Sequence, residues 1–160
     1  MTFDESETPR SHTARRSAVD RVALLAKMAW ASPWSAFGLL VGMATLATGG
    51  RAALHGRVLE FHGGAARWLL RHAIFVRGAA AMTLGHVVLG QTAGDLDRCR
   101  AHELAHVRQY ERWGPAFVPA YLASSIIAWA RGRHYYLHNA FEIDAYGEED
   151  SLESRAEESY

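Results

Sequence analysis

Hydrophobic and polar positions divide the chain into stretches of distinct character. Residues 1–21 are polar, mixed in charge and without apolar periodicity, the pattern of a mobile tail. From Val22 the sequence turns apolar, and no charged residue occurs between Lys27 and Arg51. That interval reaches the roughly 20 residues that a hydrocarbon core requires. Trp30 and Trp34 stand near its start as interfacial aromatics do, and Arg15, Arg16, Arg21 and Lys27 precede it. Its Ala, Gly, Ser and Thr content keeps the hydrophobicity modest, Pro33 predicts a kink or a helix start, and arginines also follow it. Residues 22–50 are therefore expected to form a membrane-associated hydrophobic segment, spanning or re-entrant. A buried soluble helix and a cleaved signal are the alternatives.

After Gly49-Gly50 the pattern shortens. Ala52–Leu54 and Val58–Phe61 flank His55-Gly56 as two strands around a tight turn. Residues Ala65–Val76 read as a short helix running into a strand. Ala79–Gly90 reads as a strand or hairpin, with His86 in an edge strand. A longer helix follows, capped by Asp95, running from Leu96 to Trp113 and stopped by Gly114-Pro115. A second, apolar helix covers Val118–Ala130, with Pro119 tolerated in its first turn; it is too short to span and suits a core or interface. A third begins at Phe141–Tyr146 and fades into an acidic tail. The domain reading is a polar tail (1–21), a hydrophobic segment (22–50), a folded α+β unit (51–147) and an acidic tail (148–160).

Charge modifies this picture locally. The seventeen basic and seventeen acidic residues cancel overall. Residues 22–141 nevertheless carry twelve bases against five acids, while residues 142–160 carry eight acids against one base. A basic body suits a membrane surface, and the tail solvates a chain end; nucleic acid is not the expected partner. Cys99 is the sole cysteine, which excludes an intramolecular disulfide and a cysteine-only zinc site.

The chemistry concentrates in His102-Glu103-Leu104-Ala105-His106 on the long helix. At about 100° per residue, positions i and i+4 lie within about 40° of each other, so both imidazoles project together. Glu103 occupies the adjacent stripe, within reach of a water at the metal without being a ligand. Two neutral imidazoles suit zinc, whose catalytic sites use three protein ligands and keep one open position. The extended form with Gly and a third His on the same helix is excluded by Gln109 and Arg112. Glu111 points away from the pair, and no acid follows until Glu142. Glu142 is the expected third ligand, His138 and Asp144 being the competitors. Tyr146, one turn after Glu142, and His138, about one turn before it, are candidate donors to a developing oxyanion. His86 is expected to be structural, Cys99 a small buried residue, and Arg108 to face acids or solvent.

HELAH followed by NAFEIDAY resembles the gluzincin metallopeptidases, and most closely the membrane-associated branch whose second motif reads roughly N-x-x-E-x-x-A-D. HELAHVRQ is also similar to bacterial H-E-L-x-H-V-x-Q metallopeptidase-like domains. The resemblance covers about residues 79–146. It implies a zincin-like minimal core, with short hairpin and edge strands, an active-site helix and two following helices. It further implies Zn2+ held by His102, His106 and Glu142, Glu103 as general base, a peptide or protein substrate, and a bacterial inner-membrane location. Tyr146 stands where the family's orienting Asp belongs, which leaves Asp144 or a backbone carbonyl to orient a histidine. The rival expectations are a small membrane protein with a structural or sensory metal, and a basic membrane-surface adaptor without one.

Overall fold

A computed structural model of the chain describes residues 10–72 and 78–157. The first nine residues of the expected tail, the strand proposed at the end of Ala65–Val76, and the last three residues lie outside that description. The elements run α1 (Arg10–Ala47), β1 (Arg51–His55), β2 (Val58–His62), α2 (Gly64–His72), β3 (Ala81–Leu84), β4 (Val87–Gly90), α3 (Ala93–Trp113), α4 (Phe117–Ala130) and α5 (Ala140–Glu157), with a 3-10 turn at Gly114–Ala116. This is an α+β architecture with an apolar N-terminal helix, as expected. Two boundaries differ. Helix α1 begins at Arg10, inside the expected tail, and α5 continues to Glu157, through most of the expected acidic tail.

The four strands form one mixed sheet in the order β1-β2-β4-β3. The two hairpins β1–β2 and β3–β4 are antiparallel, and β2 pairs with β4 in parallel. A parallel pair needs a crossover, and α2 with β3 supplies it. Gly85 turns the second hairpin with φ +64°; a Cβ there would collide with the Ser35 side chain. His86 lies in that turn and not in an edge strand.

Alternation along the strands gives the sheet two apolar faces. On one face Phe61, Leu84, Val87 and Leu89 pack with Ala66 and Leu70 of α2 and with Trp34 and Val41 of α1. On the other, Val58, Ala81 and Val88 meet Leu96 and Val107 of α3, with Cys99 packed against them. Helix α3 is buried on two sides, because α5 covers the face away from the sheet. The order of layers is therefore α1 and α2, sheet, α3, then α5 with α4 beside it.

Helix α1 reaches the sheet through small residues. Ala31, Gly38, Gly42 and Thr45 form its buried stripe, and Pro33 sits within the unbroken helix. A Cβ at Gly38 would lie 2.8 Å from Val87 Cβ, and one at Gly42 would lie 2.5 Å from the Phe61 ring. Two buried carboxylates fasten the sheet to α3. Glu60 of β2 accepts two hydrogen bonds from the Arg100 guanidinium at 3.0 and 3.1 Å. Glu111 lies 2.6 Å from Arg57 and 3.2 Å from His86, which ties both hairpins to the end of α3. The cap of α3 is Thr92, not Asp95: its hydroxyl oxygen accepts from the Asp95 N–H and its O–H donates to the Asp95 carboxylate.

Gly42→Val forces a side chain into the Phe61 ring and is expected to cost about 1–3 kcal/mol of unfolding free energy. Gly147→Ala, in a helical position where an added Cβ meets nothing within 4 Å, is expected to raise stability by about 0.5–1 kcal/mol. Denaturant unfolding of the two variants beside the parent checks both signs.

Candidate metal centre

The two faces of α3 carry the site. Leu96, Glu103 and Val107 turn toward the sheet, while His102, His106 and Gln109 turn toward α5, as helical spacing requires. The chain leaves α3 through Gly114 (φ +55°), passes along α4, and returns in α5. Asn139 holds the return. Its side-chain amide donates to the Tyr121 carbonyl and the Ser125 hydroxyl, and its carbonyl oxygen accepts from the Phe141 N–H. Glu142 then falls in the first turn of α5, facing the histidines.

His102, His106 and Glu142 are all buried, and one ligand atom from each lies within 4.8 Å of the others. His102 Nε2 is 3.1 Å from His106 Nε2 and 3.1 Å from Glu142 Oε2, and His106 Nε2 is 3.4 Å from Glu142 Oε1. With metal–ligand bonds of about 2.0–2.1 Å, a tetrahedral site separates its ligand atoms by about 3.3 Å. The two imidazoles thus converge on one carboxylate at about that spacing, each nearest a different oxygen of Glu142, and these residues could hold a metal ion.

The groups around them set the tautomers. His106 Nδ1–H donates to Gln109 Oε1 at 2.8 Å, and the Gln109 amide donates to the Phe141 carbonyl and to Asp144, both at 2.9 Å. A proton fixed on Nδ1 leaves the His106 Nε2 lone pair directed at the centre. For His102 to offer Nε2 in the same way, its proton must sit on Nδ1. That atom is buried and makes no hydrogen bond among the described residues; its nearest carboxylate is Glu149, 3.6 Å away. Glu149 lies two turns beyond Glu142, and the Tyr146 ring between them stands 4.5 Å from the His102 ring. Tyr121 of α4 donates to Glu142 Oε1 at 2.6 Å.

Glu103 is shut away from water against β3, its Oε2 accepting from the Thr83 hydroxyl at 2.6 Å. Burial pushes its carboxyl above the usual range, against the pull of His106, the Thr83 hydrogen bond and His102. Burial pushes Glu142 the same way, but hydrogen bonds from His102, His106 and Tyr121 outweigh it and hold the carboxyl well below the usual range. For His106 burial works against the charged form; the Glu142 hydrogen bond and the nearby Glu103 charge overcome it and raise the pKa. Burial and the Glu142 hydrogen bond raise the Tyr121 phenol.

The structure brings His102, His106 and Glu142 together, sets Tyr146 against His102, and turns Glu103 toward β3 on the adjoining side of α3. His138 goes elsewhere: it is exposed and lines a shallow groove between α4 and α5 with Trp113, Ile127 and Phe141. Asp144 is not beside the histidines and acts on His106 only through Gln109. Glu111 belongs to the separate Arg57 and His86 cluster, and Arg108 pairs with Glu148. Sequence reasoning missed Gln109, Thr83, Tyr121 and Glu149. Gln109 had a signal, standing three residues after His106 on the same helix face; the others are brought in from separate elements. Comparison of the chain with protein-family models, with curated proteins and with solved structures returns no match.

Removing Gln109, which holds the His106 tautomer, or Glu149, the carboxylate nearest His102 Nδ1, is expected to lower metal affinity, about 10- to 100-fold for the Gln109 contact. Gln109→Ala and Glu149→Ala are the variants, Glu148→Ala is the control that leaves affinity unchanged, and competition with a chromophoric chelator measures all three. Metal capture must also displace the proton that Glu142 stabilises on His106, so affinity falls as that group protonates. Because Glu142 and the nearby Glu103 raise its pKa, metal affinity should start to fall at a higher pH during an acid titration than an unperturbed imidazole would give.

Proposed function

We propose that the chain is a membrane-associated zinc metallopeptidase with a zincin-like core related to the gluzincins. The observation that carries this reading is the buried convergence of His102, His106 and Glu142, with ligand atoms within 4.8 Å of one another, and Glu103 on the next stripe of the same helix. Imidazole and carboxylate donors in this number suit zinc, and bound zinc would supply Lewis acidity toward a peptide carbonyl and the attacking water.

The chain's own residues do the rest. Glu103 takes the proton of the attacking water and returns it to the amine as the C–N bond breaks. Its desolvation supports that double duty, because a raised carboxyl pKa brings proton uptake and release closer to neutral pH. The Thr83 hydroxyl fixes the carboxylate against β3, the outermost strand on that side of the sheet. Tyr146, with its ring on His102 and its hydroxyl 3.5 Å from that of Tyr136, is the candidate donor to the developing oxyanion. His138 is far less suited, since its side chain lines the groove between α4 and α5.

One observation favours a second reading, a structural or sensory metal: all three ligands are buried, Glu142 with only 2% of its surface exposed. A single experiment separates the two. Glu103→Gln should retain one zinc per chain and lose metal-dependent cleavage of a peptide library by at least about 1000-fold, a larger loss than the 10²–10⁴-fold span of a general base would set at its lower end. Parent protein that binds zinc and cleaves nothing selects the structural or sensory reading. For the ligand set, Glu142→Ala should remove the metal and His138→Ala should leave it; the reverse result sinks the gluzincin assignment.

A further inference from the structure

The way α1 is seated fixes how the chain can meet a bilayer. By length and composition Arg21–Ala47 can cross a membrane; its packing points another way. From Ala31 to Thr45 one face of the helix rests on the rest of the protein. Gly38 lies on Leu84 and Val87, and Gly42 on Phe61. The Ser35 hydroxyl accepts from the His86 N–H, and the Thr45 hydroxyl accepts from the Ala66 N–H, both at 3.0 Å.

These positions rise about 21 Å. They run beside a sheet whose outer strand β1 is exposed at every position and carries an open hydrogen-bonding edge. Hydrocarbon does not tolerate an open sheet edge. The part of the apolar segment beyond the seated stretch, Arg21–Trp30, rises only about 15 Å and contains Lys27, against the roughly 30 Å that a bilayer core requires. Neither part crosses the core while the domain keeps its packing.

The face turned away from the protein is apolar. At 100° per residue, Val22, Leu25, Phe37 and Met43 all lie within about 60° of Leu40, opposite the buried stripe. Leu40 is 68% exposed, and the other four are exposed as well. Helix α4 carries a second apolar stripe. Trp34 donates to the Pro115 carbonyl at 3.2 Å, just before α4 begins, and Leu122, Ile126 and Trp129 lie exposed one turn apart along α4.

We infer that α1 lies lengthwise in the interface of one leaflet, with Val22, Leu25, Phe37, Leu40 and Met43 against the acyl boundary, and that the chain is monotopic. The occupant is a lipid surface, because α1 itself carries Arg10, Arg15, Arg16, Arg21 and Lys27 against Asp20 alone, a charge that complements anionic headgroups, and the large apolar side chains of α1 suit the layer beneath them. The inference deepens the membrane half of the proposed function and does not depend on its zinc.

Sidedness decides it. In a Cys99→Ala background, Arg21→Cys and Arg51→Cys each place one thiol at an end of the apolar segment. Both thiols should react with an impermeant maleimide from the same face of sealed membrane vesicles prepared from expressing cells; reaction from opposite faces overturns the inference. The purified parent should sediment with phosphatidylglycerol-containing vesicles, and Phe37→Glu/Leu40→Glu/Met43→Glu should lose at least about 10-fold of that binding while keeping one zinc per chain. A parent that ignores vesicles and forms a dimer abolished by the triple variant assigns the face to a second copy and overturns the inference. Same-face labelling of a chain that holds no zinc supports the docking and removes only the metal reading.

Discussion

A carboxylate withdrawn from water governs this structure. Glu142 is almost fully buried, and a charge in that position persists only where partners replace its hydration. Three do so: His102 and His106 from α3 and Tyr121 from α4. Meeting that demand brings the start of α5 back beside Tyr121, Ser124 and Ser125 of α4 and presses α5 onto α3. The ordering of the three C-terminal helices is the solvation shell of one side chain, and the shell is also the geometry that suits a metal.

The same requirement extends outward. Helix α3 presents Glu103 to one side and the histidines to the other, so both sides must be covered. The sheet covers the first with Val58, Val88 and Thr83; α5 covers the second. Gln109 spans the α3–α5 seam, accepting from His106 and donating to the Phe141 carbonyl and Asp144. One amide therefore sets a tautomer and joins two helices. Glu60 and Glu111 repeat the pattern at lower stakes, each buried acid being matched by cations from other elements.

Much of this was legible in the amino-acid order because it is local or repeats with a short period. The HELAH spacing put both imidazoles on one stripe, and the lack of any acid between Arg112 and Phe141 pointed to Glu142, ahead of His138 and Asp144, as the residue that would join them. The two hairpins and the ends of α3 and α4 followed from glycine, proline and apolar alternation. What escaped depends on distance in sequence. Thr83 meets Glu103 only because β3 lies along α3, and Tyr121 meets Glu142 only after the turn through Asn139. The Tyr146 position looked like a missing carboxylate, whereas the nearest one to His102 Nδ1 stands three residues later, at Glu149. The Thr92 cap was hidden because it shares its hydrogen bonds with Asp95, the residue that sequence rules favoured. In α1, composition suggested a span, but the seats for Gly38 and Gly42 belong to strands far along the chain.

Tyr121 gives α4 a mechanical role. Its hydroxyl is 2.6 Å from Glu142, while the next residue, Leu122, begins the outward-facing stripe. A displacement of α4 by one ångström stretches that bond past hydrogen-bonding range, and the freed carboxylate loses one of its three partners. Whatever presses on the outer face of α4 is thus felt at Glu142 through a single rigid phenol, making the helix a transmission element between the protein's surroundings and its most deeply buried charge.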